Sequence, residues 1–330
     1  MAPVGTVATV ATVDWGAEAL WLRLAPLLPG LSIEVLPQVA STNTLLLDRA
    51  RGAGGAGGDT QPCLLVAEEQ TSGRGRLGRA WRSRAGASLT FTLALPLAPA
   101  DWSGLSLAVG LALAEALDPQ PAEAAPLTPL TPRIGLKWPN DLWLIDGPVG
   151  AGAGRKLGGI LIETVSAGAR ADADAGAGAG SGAPRLAVIG IGLNLQPQPD
   201  DGLSQGYACL QELDAQASAP QVLARVAEPL LRALLRFQDH GFAPLVAAYA
   251  RRDVLRGRRV STTLADLPEG EAEGVDAHGA LRVRQGALHR VVSGEVSVRP
   301  QAQVATASSM TPSMTSLVTS VMTSVMTDAR

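Results

Sequence analysis

The sequence predicts an α+β fold, with one large mixed domain over residues 14–252 and a small all-β domain over 253–300. Three observations point there. Through the first region, helical and two-residue periodicities intermix without the strict strand–helix alternation of a doubly wound sheet. From Arg258 to Val298, short runs of Val and Leu are broken by Gly and Asp, the pattern of a small β-barrel. Low-complexity stretches fall at both ends: a Val/Ala/Thr lead at 1–13 and a Met-Thr-Ser-Val repeat at 301–330. Neither offers a core, and both are expected to be disordered.

Taken in order, residues 14–28 space Trp15, Leu20, Leu22 and Leu24 as a helix that Pro29-Gly30 ends. Ser32–Val39 is β-rich, and Ser41 or Thr42 can cap a short helix running to Ala50. A Gly-rich loop at 51–59 precedes the apolar run 63–69, which suits a buried strand. Ser88–Leu95 alternates as a strand, Leu105–Leu117 is a helix, and 118–132 is a Pro-rich surface connection. Strands are expected around 133–137, 142–145, 157–165 and 186–195, with a disordered Gly/Ala insertion between the last two. Gln221–Gln238 is an amphipathic helix with Leu223, Val226, Leu230, Leu234 and Phe237 on one stripe.

Composition narrows the function classes. The 330 residues are 46% hydrophobic and 17% charged with a net charge of −3, enough for a sizeable core. No basic excess calls for a nucleic-acid or membrane partner. No run approaches the roughly 18–20 apolar residues of a membrane span, and no signal peptide opens the chain, so a cytoplasmic protein is expected. Cys63 and Cys209 form no disulfide framework or zinc motif, the three histidines show no metal-ligand spacing, and no metal site is expected. Lys137 and Lys156 are the only lysines; every other cation is arginine. A position that keeps lysine against that drift deserves chemical scrutiny.

Five segments carry chemistry. Gln70-Thr-Ser-Gly-Arg-Gly-Arg-Leu-Gly-Arg-Ala-Trp81 alternates glycines with Arg74, Arg76 and Arg79 directly after a buried strand. Glycines let the backbone approach a ligand, and guanidinium forks suit phosphate or carboxylate. It is neither a Walker loop nor a dinucleotide fingerprint. Lys137-Trp-Pro-Asn-Asp-Leu-Trp143 holds one lysine, a compact point charge that a planar guanidinium cannot imitate; Asp141 reads there as a turn residue. Lys156-Leu-Gly-Gly-Ile-Leu161 and Gly190-Ile-Gly-Leu-Asn194-Leu place glycines inside strands, where a ligand or backbone comes close. Ser41-Thr42-Asn43 taken singly is a helix cap.

Together, in this order and spacing, these segments resemble the biotin–protein ligases, with Gly294-Glu-Val-Ser-Val-Arg299 fitting the family's last barrel strand. The resemblance spans roughly residues 31–300. It implies a catalytic domain like that of class II aminoacyl-tRNA synthetases and a C-terminal Src-homology-3-like barrel. It also implies an enzyme that activates biotin with MgATP to biotinyl-5′-adenylate and passes biotin to a lysine of a biotin carboxyl carrier domain, such as that of acetyl-CoA carboxylase. No tightly bound cofactor is implied.

By the same resemblance Ser41, Thr42, Asn43, Gln70, Arg74, Gly75, Arg76 and Lys137 would bind biotin. Arg74, Arg76, Arg79, Trp81, Lys156 and Asn194 would serve the adenylate or ATP, with Lys137 and Arg76 catalytic. Two departures stand out: Leu77 where a second basic residue is frequent, and Tyr207 where the adenylate-facing loop commonly has Trp. The short stretch before Ser41 implies a form without the DNA-binding domain that some relatives carry. A lipoate or octanoyl attachment enzyme lacks its Arg-Arg-Ser and glycine-triplet pattern here. A nucleic-acid-binding module would spread basic and aromatic residues over a face, whereas aromatics are 3% of the chain.

Overall fold

The computed structural model describes residues 13–52, 58–120, 132–146, 154–166, 184–198, 206–292 and 298–300. The disorder expected at 1–13 and 301–330, the Gly/Ala insertion, most of the Pro-rich connection, the middle of the Gly-rich loop and Gly294–Ser297 lie outside those residues, apart from Val13.

The alternating runs become a seven-stranded mixed sheet. It contains β1 (Ser32–Val39), β2 (Cys63–Gln70), β5 (Ser88–Leu97), β6 (Ile134–Lys137), β7 (Asp141–Ile145), β8 (Gly154–Ser166) and β9 (Arg185–Asn194) in the order β1-β2-β5-β9-β8-β7-β6. Only β1 and β2 run parallel; the other neighbours are antiparallel. Between β2 and β5 a small hairpin, β3 (Gly73–Arg74) and β4 (Ala80–Trp81), carries the arginine–glycine segment.

The period-two pattern gives the sheet two different faces. Leu89, Phe91, Leu93 and Leu95 of β5, with Ile189 and Ile191 of β9, enter the main core. Against that core pack α1 (Ala17–Leu24), α3 (Leu105–Leu117) and α4 (Ala219–His240), with the short α5 (Val246–Ala250) beyond. The predicted stripe of α4 is buried, and α3 is buried on almost every side because it lies between the sheet and α4. α1 is shorter than its sequence periodicity, since Gly16 (φ 57°) sets its start and turns close it after Leu24.

The opposite face is covered only in part. α2 (Thr42–Arg51) lays Leu46, Leu47 and Ala50 over Leu65, Ala94, Leu186 and Val188, making a second, smaller cluster. Beyond the first turn of α2 the same face changes from apolar residues to Thr92, Gly190, Gly192 and Asn194. That change of composition opens the floor of a cavity.

The C-terminal segment forms β10 (Arg258–Leu264), β11 (Leu267–Val275), β12 (Leu281–Gln285), β13 (Ala287–Val291) and β14 (Val298–Pro300). They make an antiparallel sheet ordered β13-β12-β11-β10-β14. The antiparallel strands expected of a small barrel are present, and among the described residues β13 and β14 stand at the two ends of their order. The sheet is joined closely to the first domain. The Leu136 amide donates to Arg252 O (2.7 Å), the Val254 amide to Leu136 O (3.1 Å), and Trp138 Nε1 to Gly279 O (3.0 Å). Arg252, buried, pairs with Asp118 at 2.9 Å and fixes the crossing. No helix among the described residues is long and apolar enough to cross a membrane.

Candidate active site

A cavity of about 520 Å³ lies on the partly covered sheet face, and all twelve residues named from sequence line it: Ser41, Thr42, Asn43, Gln70, Arg74, Gly75, Arg76, Arg79, Trp81, Lys137, Lys156 and Asn194. Segments separated by up to about 150 positions converge because β2, β5, β9, β8 and β7 are successive neighbours in the sheet.

One end is polar and uncharged. Ser41 caps α2, accepting from the Thr44 amide at 3.4 Å. The cap turns Thr42 and Asn43 inward, where both are buried. The Thr42 amide and hydroxyl both donate to Gln70 Oε1, at 2.7 and 3.0 Å. Asn43 Nδ2 donates to Leu161 O (3.2 Å) and Glu163 Oε2 (3.1 Å). The Thr92 hydroxyl, fully buried, sits 2.8 Å from Thr42 Oγ1 and 2.7 Å from Asn43 Oδ1. Gly190 of β9 lies directly under Asn43, and any Cβ there would overlap the Asn43 amide. The amide and hydroxyls are thereby fixed before any ligand arrives.

The other end is cationic. Arg76, Arg79, Arg82, Lys137, Lys156 and Arg299 line the cavity there, with Asp141 the one carboxylate among the described lining residues. Lys137 ends β6 and is paired across the hairpin with Asp141, the first residue of β7. Its Nζ stands 3.8 Å from Asp141 Oδ2 and 5.5 Å from the centre of the Trp143 ring, at only 4% exposure. Lys156 Nζ donates to Asp141 Oδ1 at 2.7 Å. It reaches there across Gly159, the register partner of Asp141. Both lysines of the chain thus meet on one carboxylate. Burial pulls the Lys137 ammonium down to about 8; Asp141 opposes this, while Lys156, Arg79 and Arg299 add to it. The reading of Asp141 as a turn residue is corrected: the turn is Trp138–Asn140, and Asp141 faces the cavity between two ammoniums.

The hairpin β3–β4 roofs the cavity. Arg74 is held by Glu163 (3.1 Å) and Thr44 (3.3 Å), and Arg76 donates to Asn140 Oδ1 (3.3 Å). Burial lowers the Arg76 pKa, with Asp141 opposing and Arg79 adding. Asn140 in turn donates to Ile160 O at 2.8 Å. Leu77, at the departure from the family pattern, adopts φ 57° at the exposed tip of the hairpin, a left-handed position usual for Gly or Asn. Trp81 lies flat against Gly192, where a Cβ would overlap its ring. Its buried indole N–H has no partner among the described residues, a donor held ready for a ligand.

Asn194 Nδ2 donates to Lys156 O (3.2 Å) and Ala208 O (3.0 Å), so this amide also ties β9 to β8 and to the segment bearing Tyr207. Tyr207 lines the cavity and donates to Gln196 O at 2.6 Å; burial raises its phenol to about 12. Arg155, bound to Asp146, Glu212 and Tyr207 O, fastens that segment to β8. Sequence reasoning missed Thr92, Glu163, Asn140 and Arg299 as site residues. Thr92 had a signal: a hydroxyl inside an otherwise apolar strand. Glu163 and Arg299 had none without the sheet register.

The sequence profile of the Biotin/lipoate A/B protein ligase family matches residues 35–175. The chain is 34% identical over 276 residues to the bifunctional ligase/repressor BirA of Escherichia coli, covering 82% of this chain and 75% of that protein. It is 31% identical to the biotin–[acetyl-CoA-carboxylase] ligase of Paracoccus denitrificans, covering 78% of this chain and 96% of that one. In fold it is similar to the biotin protein ligase of Aquifex aeolicus solved with biotin and ATP, with a TM-score of 0.60 and 24% identity over 83% of this chain and all of the other. Fold and site thus define a ligase of the biotin/lipoate type. Within that class, the chain belongs to the biotin–protein ligase family.

Proposed function

We propose that the protein activates biotin with ATP to biotinyl-5′-adenylate and transfers the biotinyl group to a lysine of a biotin carboxyl carrier domain, acting in the cytoplasm. The observation that carries this reading is the division of one cavity into a prearranged neutral end and a cationic end centred on Lys137. The neutral end suits a cyclic urea, which needs donors and acceptors at fixed positions. An analogue without them would leave Thr42, Asn43 and Gln70 facing an unmatched ligand, which is the strong form of discrimination. The cationic end suits a carboxylate meeting a triphosphate.

In the first half-reaction, a carboxylate oxygen of biotin attacks the α-phosphorus of ATP and pyrophosphate leaves. Lys137, supported from behind by Trp143, stabilises charge on the oxygens around the reacting phosphorus and holds the carboxylate on line. Arg76 and Arg79 lie over the phosphates from the hairpin roof, Lys156 and Asn194 border the nucleotide side, and Trp81 and Tyr207 wall it. Arg74, through Glu163, anchors the base of the roof beside the urea. In the second half-reaction, the carrier amine attacks the acyl carbon and AMP leaves.

Magnesium would enter as the counter-ion of ATP. The described residues contain no group of three or more His, Cys, Asp or Glu that could hold a metal ion, and Asp141 is the sole carboxylate lining the cavity, so the nucleotide's phosphates and water would supply most ligands. We further assign the mixed sheet to the class II aminoacyl-tRNA-synthetase type and the C-terminal strands to the Src-homology-3 type. The division near residue 252 coincides with the stretch hydrogen-bonded to β6.

The test is pyrophosphate exchange into ATP with purified protein. Exchange that requires biotin and magnesium, followed by labelling of a carrier domain, is the expected result. Equal exchange with lipoate or octanoate would move the assignment to the sister activity.

A further inference from the structure

The arrangement that suits Lys137 to adenylate formation also creates a hazard. An amine close enough to touch the carboxylate before activation stands next to the acyl carbon afterwards. A neutral Nζ there would attack that carbon: a C–N bond would form, the acyl–phosphate C–O bond would break, AMP would depart with the electron pair, and the new amide nitrogen would lose its proton to water. The product is an enzyme acylated on its own catalytic lysine.

Resting on the function proposed above, we infer that Asp141 is a positioning residue that guards the enzyme against self-biotinylation. It does so by holding Lys137 as an ammonium while the mixed anhydride is bound. Three features carry this. Lys137 and Lys156 are the only lysines in the chain, and both face the same carboxylate. Every other cation is arginine, whose guanidinium stays protonated and is no acyl acceptor. Both thiols are buried, and burial raises each, Cys63 to about 11. The side-chain amines that a reactive acyl-adenylate could label are thus confined to the place where one carboxylate restrains them.

The charges facing Lys137 come from four elements: Asp141 on β7, Lys156 on β8, Arg79 on the roof and Arg299 on β14, with Arg76 near Asp141. Among the described residues Asp141 is the single anion of this group. The Trp143 ring adds a weaker preference for the ammonium. Removing Asp141 would leave two lysines facing each other among arginines, and loss of an opposite charge at this range moves a pKa by about 1–3 units. At pH 6.5 the neutral fraction of Lys137 would then rise about tenfold.

The experiment follows the intact mass of the full chain incubated with biotin and MgATP but no carrier, with peptide mapping of any adduct. Asp141→Asn is expected to gain one biotinyl group, mapped chiefly to Lys137, about tenfold faster than wild type at pH 6.5. Asp141→Glu should restore protection. Wild-type self-labelling should be slow at pH 6.5, rise towards tenfold per unit as the pH approaches about 8 and level off above it. If Asp141→Asn forms no adenylate, synthetic biotinyl-adenylate replaces biotin and ATP. An Asp141→Asn protein that binds the adenylate yet labels no faster than wild type overturns the proposal. So does a wild type that remains unlabelled at pH 9 while still turning over. Absence of biotin-dependent exchange in wild type would refute the function itself and is read separately.

Discussion

The two ends of the cavity satisfy their polar groups in opposite ways. At the neutral end Thr42, Asn43, Gln70 and Thr92 bond to one another, to the Leu161 carbonyl and to Glu163, a network already formed without ligand. At the cationic end Arg76, Arg79, Lys137, Lys156 and Arg299 gather with Asp141, the one carboxylate among the described residues that line the cavity. A completed network is rigid and selects by shape and hydrogen bonding. A cluster of cations in a half-enclosed cavity acts most strongly on the species with most negative charge. The first end therefore governs what binds, and the second governs what reacts.

The largest effect expected from this division is at Lys137. Lys137→Arg keeps the charge but puts a planar head into a site of 4% exposure. It should lower biotin-dependent exchange at least about a hundredfold, on the order of 3 kcal/mol, as for loss of one transition-state donor. Biotin affinity, measured by calorimetry, should change far less. Lys156→Arg, with its ammonium 30% exposed, should be much milder. Near-normal exchange by Lys137→Arg would erase the distinction between the two ends.

Next in size is Thr92→Val at the neutral end. It keeps the shape but strands Asn43 Oδ1, a cost of about 1–3 kcal/mol for an unsatisfied buried group. The expected reading is a KM for biotin raised about tenfold or more with kcat nearly unchanged, the mark of uniform binding. A fall in kcat with KM unaltered would place Thr92 in the chemistry instead.

The pH dependence sharpens the same contrast. Burial lowers the Lys137 pKa to about 8, so the ammonium is present below that pH and is lost as pH rises through it. Exchange should accordingly decline above about pH 8, approaching tenfold per unit, while the KM for biotin stays flat. An exchange rate unchanged to pH 9.5 would mean that the charge on Lys137 is not required.

The smallest expected effect belongs to Glu163→Gln, which weakens a half-exposed ion pair to Arg74. Such pairs contribute about 0–1 kcal/mol, so exchange should fall by no more than about fivefold. Release of adenylate, followed by labelling of a bystander protein, should change more than exchange does if Arg74 anchors the roof. A larger loss of exchange would show that Arg74 touches ligand in the reaction.

Much of this was legible in the chain. Strand and helix positions followed from local periodicity: β1 and α3 begin and end where apolar spacing places them, and the buried stripe of α4 is the one read from sequence. The arginines after a strand and the two lysines of an arginine-rich chain stood out by themselves, whereas Ser41, Thr42, Asn43, Gln70, Trp81 and Asn194 joined them only through the family resemblance; all line one cavity. Asp141 was misread because Pro-Asn-Asp is ordinary turn chemistry; its role depends on β7 pairing with two strands at once. The C-terminal strands were legible, whereas their order β13-β12-β11-β10-β14 was not, because strand pairing is a long-range property that no local pattern encodes.

What the sequence determined by itself is what short-range physics controls: the order of elements, a capped start of α2 at Ser41 or Thr42, and the segments able to approach a ligand. What only the tertiary structure decided is which groups face one another. Lys137 meets Asp141 through the β6–β7 register, and Lys156 reaches the same carboxylate over Gly159 through the β7–β8 register. Thr92 joins Thr42 to Asn43 because α2 covers β5 on that face. A side chain's pKa, its partners and its reach depend on distances of a few ångströms between segments far apart in the chain, and those distances exist only once the sheet has formed.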